Sequence, residues 1–261
     1  MLRISIFGTG NVAGHLFEAF AAADSVEVEQ VIGRNKTALA SFERKAETVS
    51  DFTQIADTDI FIIAVKDGAI AEISEYLKEK KGLVVHTSGS VPMAVLSHCP
   101  RYGVLYPLQT FSKDRNLVMD SVPFCLEAHD KRDLQLLKKL AGRISGKIYE
   151  VDSQQRKALH LAAVFVNNFT NHLYHIGKEI CDEKGLPFAI LQPLIEETAD
   201  KIKQLSPYEA QTGPARRGDS ETMAAHLEQV TKLENPTFKD VYEILSASVK
   251  KLYRTDDGAS N

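Results

Sequence analysis

Short runs of β-branched and other apolar residues alternate with helical patterns through the first half of the chain. The runs cover residues 4–7, 26–32, 59–65, 83–86, 103–106, 123–127 and 147–151. Runs of this length, separated by segments with helical spacing of apolar positions, are typical of buried strands connected by helices. The pattern therefore predicts an α/β fold with a Rossmann-type, mostly parallel sheet wrapped by helices.

The pattern changes after Asp152, where strand signals stop and helical segments separated by prolines follow. Asp152 or Ser153 would cap the start of a long helix, and Gly185 suits the position just beyond its end, so we expect this helix to run to about Lys184. The change predicts two domains. Residues 1–152 would carry the sheet, and residues 153–261 would form an all-α domain.

Composition narrows the class of partner. The 261 residues are 44% hydrophobic and carry a formal net charge of −4, without a dense run of Lys and Arg. Nucleic acid and anionic membranes are therefore poor candidates, and a small-molecule substrate is favoured. The three cysteines are widely spaced, and no apolar run has the length of a membrane span. We expect a cytoplasmic protein without a disulfide framework or a metal site.

A glycine-rich turn joins the first predicted strand to the first predicted helix. It consists of Gly8, Thr9, Gly10, Asn11, Val12 and Ala13. Gly8 would make the tight turn, Gly10 would let the backbone approach a pyrophosphate, and Ala13 would let helix and strand pack closely. In its strand and helix context, this G-x-G-x-x-A match predicts a dinucleotide site. The alternative is that the glycines only shape a turn.

The end of the second strand indicates which dinucleotide is bound. An Asp or Glu there would bind the ribose hydroxyls of NAD, but this strand is followed by Gly33, Arg34 and Asn35. Arg34 offers a planar fork of donors to a 2′-phosphate, with Asn35 beside it. We therefore predict NADP as the cofactor, with Ala64 and Val65 at the end of the next strand in the same site. The alternative is that Arg34 is a solvated charge.

The predicted long helix carries His160, Asn167 and Asn171 within about 40° of arc at 100° per residue. Apolar side chains such as Val166 and Leu173 occupy the opposite side, so the polar face is expected to border a polar cavity. His160 would donate or accept a proton, Asn167 would orient the substrate and Asn171 would contact it. The alternative is a solvated face, or polar contacts between the domains.

Two strand ends supply further candidates. His86 ends the fourth predicted strand and is a second candidate acid or base, or a structural histidine, while Ser88 and Gly89 would bind a carboxylate or carbonyl oxygen. Gln109 and Thr110 follow the next strand and are expected on the same rim of the sheet.

A loop in the helical half, residues 211–219, is rich in donors and in glycine. Arg216 or Arg217 would clamp a substrate carboxylate from this loop. The alternative is that both are surface arginines that balance nearby acids.

Taken in order, these motifs resemble a bacterial family of NADP oxidoreductases. The motifs are the glycine turn, Gly33-Arg34-Asn35, His86-Thr87-Ser88-Gly89-Ser90, Tyr106-Pro107-Leu108-Gln109-Thr110-Phe111, the His160 helix and the 212–219 loop. The resemblance implies a Rossmann-like domain, a helical domain of unassigned function and a 6-phosphogluconate-dehydrogenase-like plan. The family is similar to deazaflavin-dependent NADP oxidoreductases and related to pyrroline-5-carboxylate reductase, ketopantoate reductase and the 3-hydroxyacid dehydrogenases.

The resemblance also has a point of difference. The hydroxyacid branch has a catalytic Lys followed by Asn on the interdomain helix, where this chain presents His160 and Asn167. We predict hydride transfer between NADP(H) and a small polar carbonyl, imine or hydroxy acid. NADP reduction by a deazaflavin and a non-catalytic NADP sensor are the alternatives. A homodimer through the helical domain is also expected, because about 110 residues of amphipathic helix lack a sheet to cover them.

Overall fold

A single eight-stranded sheet organises the first part of the chain; the computed structural model describes residues 1–113 and 115–254. Its strands are β1 (Leu2–Phe7), β2 (Val26–Ile32), β3 (Glu47–Val49), β4 (Ile60–Ile63), β5 (Leu83–His86), β6 (Tyr102–Pro107), β7 (Phe124–Ala128) and β8 (Ile148–Glu150). The strand order is β3-β2-β1-β4-β5-β6-β7-β8, and β7 runs antiparallel to β6 while the other pairs are parallel. The predicted α/β fold with a mostly parallel sheet is confirmed. The short β3 is an addition that the sequence pattern did not indicate.

Helices follow or connect these strands. In the first part they are α1 (Asn11–Ala21), α2 (Lys36–Leu39), α3 (Ile70–Glu75), α4 (Lys131–Ala141) and α5 (Ser153–Ala163). Further along they are α6 (Thr170–Glu183), α7 (Gln192–Lys201), α8 (Pro207–Ala210), α9 (Pro214–Arg217), α10 (Ser220–Thr231) and α11 (Thr237–Arg254). Short 3-10 turns occupy several of the connections, and a π-helical segment, Val164–Phe169, lies between α5 and α6.

Apolar side chains pack on both faces of the sheet. All four residues of β4 are buried, as expected of a central parallel strand covered on both sides. On one face, α1 buries Ala13, Leu16, Phe17 and Phe20, a helical spacing that directs one stripe of the helix at the sheet. This packing fixes the position of the first turn of α1 relative to the end of β1.

The chain forms two compact units, Met1–Asn167 and Asn168–Asn261. The first unit extends beyond the predicted boundary after Asp152 and includes α5, whose Leu159 packs in the cluster around Tyr106 and whose Arg156 bonds to Glu127 on β7. The predicted cap is present: Asp152 accepts hydrogen bonds from the N–H groups of Gln154 and Gln155 in a capping box. Gly185 has a φ of +65° just beyond α6, as the end of the predicted helix requires. Residues 255–261 of the predicted helical domain lie outside the described residues.

The second unit has a small apolar core of its own. Ile176, Val230 and Phe238 are buried together, whereas several large apolar side chains of the same unit are more than half exposed. These exposed side chains include Leu186, Ile190, Leu194, Ile202 and Ile244. Among residues 1–113 and 115–254, no helix is long and apolar enough to cross a membrane.

Candidate functional site

A cavity of about 670 Å³ opens where the order of the sheet reverses, at the carboxyl ends of β1 and β4. Ligands of open parallel sheets bind at this kind of crevice. All ten predicted cofactor residues except Ala13 line the cavity; Ala13, in the first turn of α1, is fully buried. Lys66, Asp67, Thr87 and Phe111 also line it.

The glycine turn has the geometry that a close approach of the backbone requires. Gly8 has a φ of +118°, and a Cβ atom there would lie 2.2 Å from the carbonyl oxygen of Ala64. Any other residue would therefore be strained and would collide with the backbone directly after β4. Gly10 is the N-cap residue directly before α1, no side chain caps the helix there, and a Cβ at Gly10 would meet open space. The turn thus leaves room for a phosphate against the first amides of α1.

Arg34 lines the same cavity, two residues after the end of β2. Its guanidinium is largely exposed, with one nitrogen 3.6 Å from a carboxylate oxygen of Glu72. Asn35 uses its side-chain oxygen to accept the N–H of Ala38 at 3.1 Å, which caps α2. Arg34 is therefore free to turn toward a phosphate at small cost, because an exposed ion pair contributes about 0–1 kcal/mol. The side-chain oxygen of Asn35 is already engaged in capping α2.

A second group of residues gathers around His160. The hydroxyl of Tyr106, at the end of β6, lies 3.1 Å from Nδ1 of His160, and the two rings meet edge to face. Gly89 packs against both: a Cβ there would lie 2.6 Å from Nδ1 of His160 and 2.8 Å from Cζ of Tyr106. The structure therefore brings the predicted His160 and Gly89 together around Tyr106, which sequence reasoning passed over. Alternation along β6 places Tyr106 on the same buried face as Val104, so this alternation would have indicated that the Tyr106 side chain points inward.

The cluster of Tyr106, Gly89 and His160 adjoins the cavity along two strand ends. Thr87 lines the cavity and stands two residues before Gly89, a distance of at most about 7 Å along the backbone. Gln109 lines the cavity three residues after Tyr106, with its side-chain oxygen accepting the N–H of Thr110. Thr110 itself is exposed and does not line the cavity.

His86 is not placed to exchange protons with a substrate. It is fully buried, and its Nδ1 accepts the backbone N–H of Ser88 at 3.2 Å. Burial, together with the charge of Arg156, lowers the pKa of His86 to about 4, although the carbonyl of Pro92 and the charge of Asp67 oppose that shift. The imidazole is therefore neutral and inaccessible near pH 7, which argues against the predicted acid or base role.

Ser88 is also committed to the local backbone. Its hydroxyl oxygen accepts the N–H groups of Ser90 and Val91 at 3.1 and 3.0 Å. Ser90 in turn donates its hydroxyl to Asp67 at 2.5 Å, and Asp67 lines the cavity. Ser88 therefore shapes the turn after β5 instead of presenting a free hydroxyl to a substrate.

A buried ion pair anchors α5 to the sheet one helical turn before His160. Arg156 is fully buried, and its guanidinium donates to Glu127 on β7 and to the hydroxyl of Ser153, both at 3.1 Å, and to the carbonyl of Val91. Ser153 also donates to Glu127 and accepts the N–H of Met93. These bonds fix the helix that carries His160. No sequence pattern indicated that Arg156 is buried.

The predicted polar face of the long helix does not persist along its length. Val164–Phe169 is π-helical, so the α-helical spacing of 3.6 residues per turn does not hold between His160 and Asn171. Asn167 is exposed and lies within the π-helical segment, and Asn171 belongs to the second unit. The prediction that these three residues share one face is therefore wrong beyond the start of the π-helical segment.

Arg216 makes contacts within its own unit. Its guanidinium donates to the carbonyls of Glu209 and Gln211 and stacks 5.0 Å from the ring centre of Tyr253. This arrangement ties α9 to α8 and α11 and favours the structural alternative over a substrate clamp. Among the described residues, no cluster of three His, Cys, Asp or Glu side chains could hold a metal ion.

A doubly wound sheet with a glycine turn, a basic residue after β2 and a cavity at its switch point defines a nucleotide-binding protein of the Rossmann class. The family described as "NADP oxidoreductase coenzyme F420-dependent" matches residues 3–88, and a domain of unknown function, DUF2520, matches residues 122–249. A proposed NADP oxidoreductase of Bacteroides fragilis, BF3122, is 39% identical, with a TM-score of 0.88 and coverage of 96% of this chain and 98% of that one. The chain belongs to this family of NADP oxidoreductases, as the sequence predicted.

More distant structures share the fold. A pyrroline-5-carboxylate reductase from Coxiella burnetii is 19% identical (TM-score 0.59, 97% of this chain and 94% of that one). An imine reductase from Myxococcus stipitatus in complex with NADP⁺ is 13% identical (TM-score 0.62, 99% of this chain and 95% of that one). Among curated proteins, none matches the chain significantly.

Proposed function

We propose that the protein is an NADP-dependent oxidoreductase that transfers hydride between NADP(H) and a small polar carbonyl, imine or hydroxy-acid substrate. One observation carries the proposal: the cavity that the glycine turn lines is also lined by Thr87 and Gln109, two and three residues along the chain from Gly89 and Tyr106, which contact His160. The glycine turn would hold the pyrophosphate, and Arg34 would bind the 2′-phosphate. The bound cofactor supplies or accepts the hydride.

The protein's own contribution is positioning and a proton. Reduction of a carbonyl requires a proton at the oxygen, and oxidation of a hydroxyl requires its removal. His160 is proposed for this role because its Nδ1 is held by Tyr106, which leaves Nε2 for a substrate. Gln109, which lines the cavity, is a proposed substrate contact. Asn167 remains a prediction from sequence.

Consumption of NADPH in the presence of keto acids, cyclic imines and a deazaflavin tests the proposal. We expect turnover with one substrate class, and a decrease of kcat by about 10²–10⁴ in His160→Ala with NADPH affinity unchanged. His129→Ala is the matched control, because His129 has the same bond to a tyrosine hydroxyl, 3.0 Å from Tyr102, but is exposed and away from the cavity. Tight NADPH binding without turnover of any substrate would favour a sensor.

The deazaflavin alternative has one specific support, the name of the family that matches residues 3–88. Those residues contain the glycine turn and Arg34, so the match concerns the part that would hold NADP. Deazaflavin turnover that persists in His160→Ala would favour this alternative, because hydride transfer to a deazaflavin needs no histidine.

We also propose a homodimer formed through the second unit. Its buried core is small, and Ile190, Leu194 and Ile244 are more than 60% exposed, so a second chain packed on them would remove apolar surface from water. Light scattering should give twice the mass of one chain, and Leu194→Glu should shift the protein toward the monomer. Val118→Glu, at an exposed valine of the first unit, should not. A wild-type monomer at micromolar concentration would refute the dimer.

The cytoplasmic location expected from the sequence stays a prediction.

A further inference from the structure

The hydroxyl of Tyr106 has one partner among the described residues, Nδ1 of His160 at 3.1 Å. Tyr106 is buried, with 8% of its surface exposed. Burial raises the pKa of this phenol to about 12, so its proton is retained near pH 7. A buried hydroxyl needs an acceptor for that proton.

Neutral imidazole has one nitrogen that donates and one that accepts. If Nδ1 accepts the phenolic proton, the imidazole proton must reside on Nε2. His160 in its neutral form then offers an N–H group on the side of the ring away from Tyr106. The hydrogen bond thus selects a tautomer as well as an orientation.

The surroundings hold this arrangement in place. Gly89 leaves only enough room for the two rings, because a Cβ at that position would overlap His160 and Tyr106. Arg156 stands one helical turn before His160 and is tied to Glu127 at 3.1 Å, so α5 has little freedom to rotate. The positive charge of Arg156 also lowers the pKa of Tyr106, against the larger effect of burial.

We propose that Tyr106 holds neutral His160 as an Nε2–H donor, and that the site therefore acts on a carbonyl compound in preference to an iminium ion. This inference rests on the proposed function, in which His160 faces the substrate. A carbonyl oxygen can accept a hydrogen bond from Nε2–H. A protonated imine has an N–H group instead of an acceptor, so two hydrogen-bond donors would face each other.

The proton balance of the carbonyl reaction closes on these two residues. Once the carbonyl carbon has accepted hydride, its oxygen takes the Nε2 proton and Nδ1 takes the Tyr106 proton. The imidazole is neutral before and after, with its proton moved to Nδ1. Water then supplies a proton to Nε2 and Nδ1 returns its proton to the phenolate, which restores both Tyr106 and the Nε2–H form of His160; until then the nearby Arg156 stabilises the phenolate charge. Tyr106 acts through His160 and is therefore a positioning residue.

Nitrogen NMR of histidine-labelled protein tests the tautomer without turnover. The His160 signals are assigned by their loss in His160→Gln. In the wild type near pH 7.5 we expect the neutral ring to carry its proton on Nε2, and in Tyr106→Phe we expect a mixture of both tautomers. Tyr102→Phe is the matched control, since Tyr102 bonds to His129 at 3.0 Å in the same way but outside the cavity. An Nδ1–H tautomer in the wild type, or an unchanged tautomer in Tyr106→Phe, overturns the inference.

Kinetics test the substrate class. With NADPH, we expect keto acids to be reduced at least tenfold faster than cyclic iminium compounds. Tyr106→Phe should lower kcat for keto acids by tenfold or more with NADPH affinity unchanged, and should add nothing in the His160→Gln background. A preference for iminium compounds contradicts the inference. If turnover depends on His160 but not on Tyr106, the proposed function is retained, but the proposed action of Tyr106 on His160 is refuted. A confirmed tautomer without any turnover removes the proposed function instead.

Discussion

Replacement of Arg34 by alanine should abolish most of the preference for NADPH over NADH. A charge-assisted hydrogen bond to the 2′-phosphate contributes about 1.5–3 kcal/mol, which corresponds to a ten- to hundredfold difference in affinity. In the free protein Arg34 is exposed and 3.6 Å from Glu72, so the bond that it gives up contributes at most about 1 kcal/mol. The balance therefore favours the phosphate.

Isothermal calorimetry with NADPH and NADH measures the two affinities directly. Wild-type protein should bind NADPH about ten to a hundred times more tightly than NADH. Arg34→Ala should weaken the binding of NADPH and change the binding of NADH little. Lys36→Ala is the control, because Lys36 is an exposed cation two residues away that does not line the cavity. Glu72→Gln should strengthen NADPH binding up to about fivefold, since the competing carboxylate charge is removed.

Equal wild-type affinities for the two dinucleotides would contradict a role for Arg34 in selecting NADPH. An equal loss for Lys36→Ala and Arg34→Ala would refute it as well, because the effect would then come from general charge and not from a positioned guanidinium.

Three further predictions concern the fold around the site. Gly10→Ala should leave the free energy of unfolding within about 0.5 kcal/mol, because its Cβ meets open space, yet weaken NADPH binding in calorimetry by obstructing the pyrophosphate. Arg156→Met should lower the free energy of unfolding in urea by about 3–5 kcal/mol, because Glu127 is left buried without its cation. The double variant Arg156→Met, Glu127→Gln should lose less of this free energy. The pKa of His86 is lowered to about 4 in the folded state, compared with 6.5 in the unfolded chain. Because the unfolded chain therefore takes up the proton first, the free energy of unfolding should decrease as the pH falls from 6.5 to 4. The loss should approach about 3 kcal/mol relative to His86→Asn, and parallel stability curves for the two proteins would contradict it.

The architecture was largely predictable because it depends on local patterns. Strand and helix alternation predicted the α/β fold, and Asp152 and Gly185 marked the ends of the long helix. The cofactor positions were predictable for a related reason. The turn after β1 and the residues after β2 and β4 occupy fixed places at the carboxyl edge of a doubly wound sheet.

The chemistry around His160 depends on contacts between distant residues. Tyr106 and His160 are 54 positions apart, and no local pattern indicates that their side chains meet. The buried Arg156 was equally hidden, because its partner Glu127 lies on β7. The π-helical segment Val164–Phe169 broke the helical spacing on which the face of His160, Asn167 and Asn171 was predicted.

The most direct test of the proposed activity is transfer of deuterium to a keto acid from NADPH that carries deuterium at both C4 positions. Mass spectrometry should find one deuterium in the hydroxy-acid product of the wild-type protein. His160→Ala, at equal NADPH occupancy, should form that product about 10²–10⁴ times more slowly. Tight binding of NADPH with no deuterium transferred to any keto acid, imine or deazaflavin would contradict the claim that this protein is an oxidoreductase of small substrates.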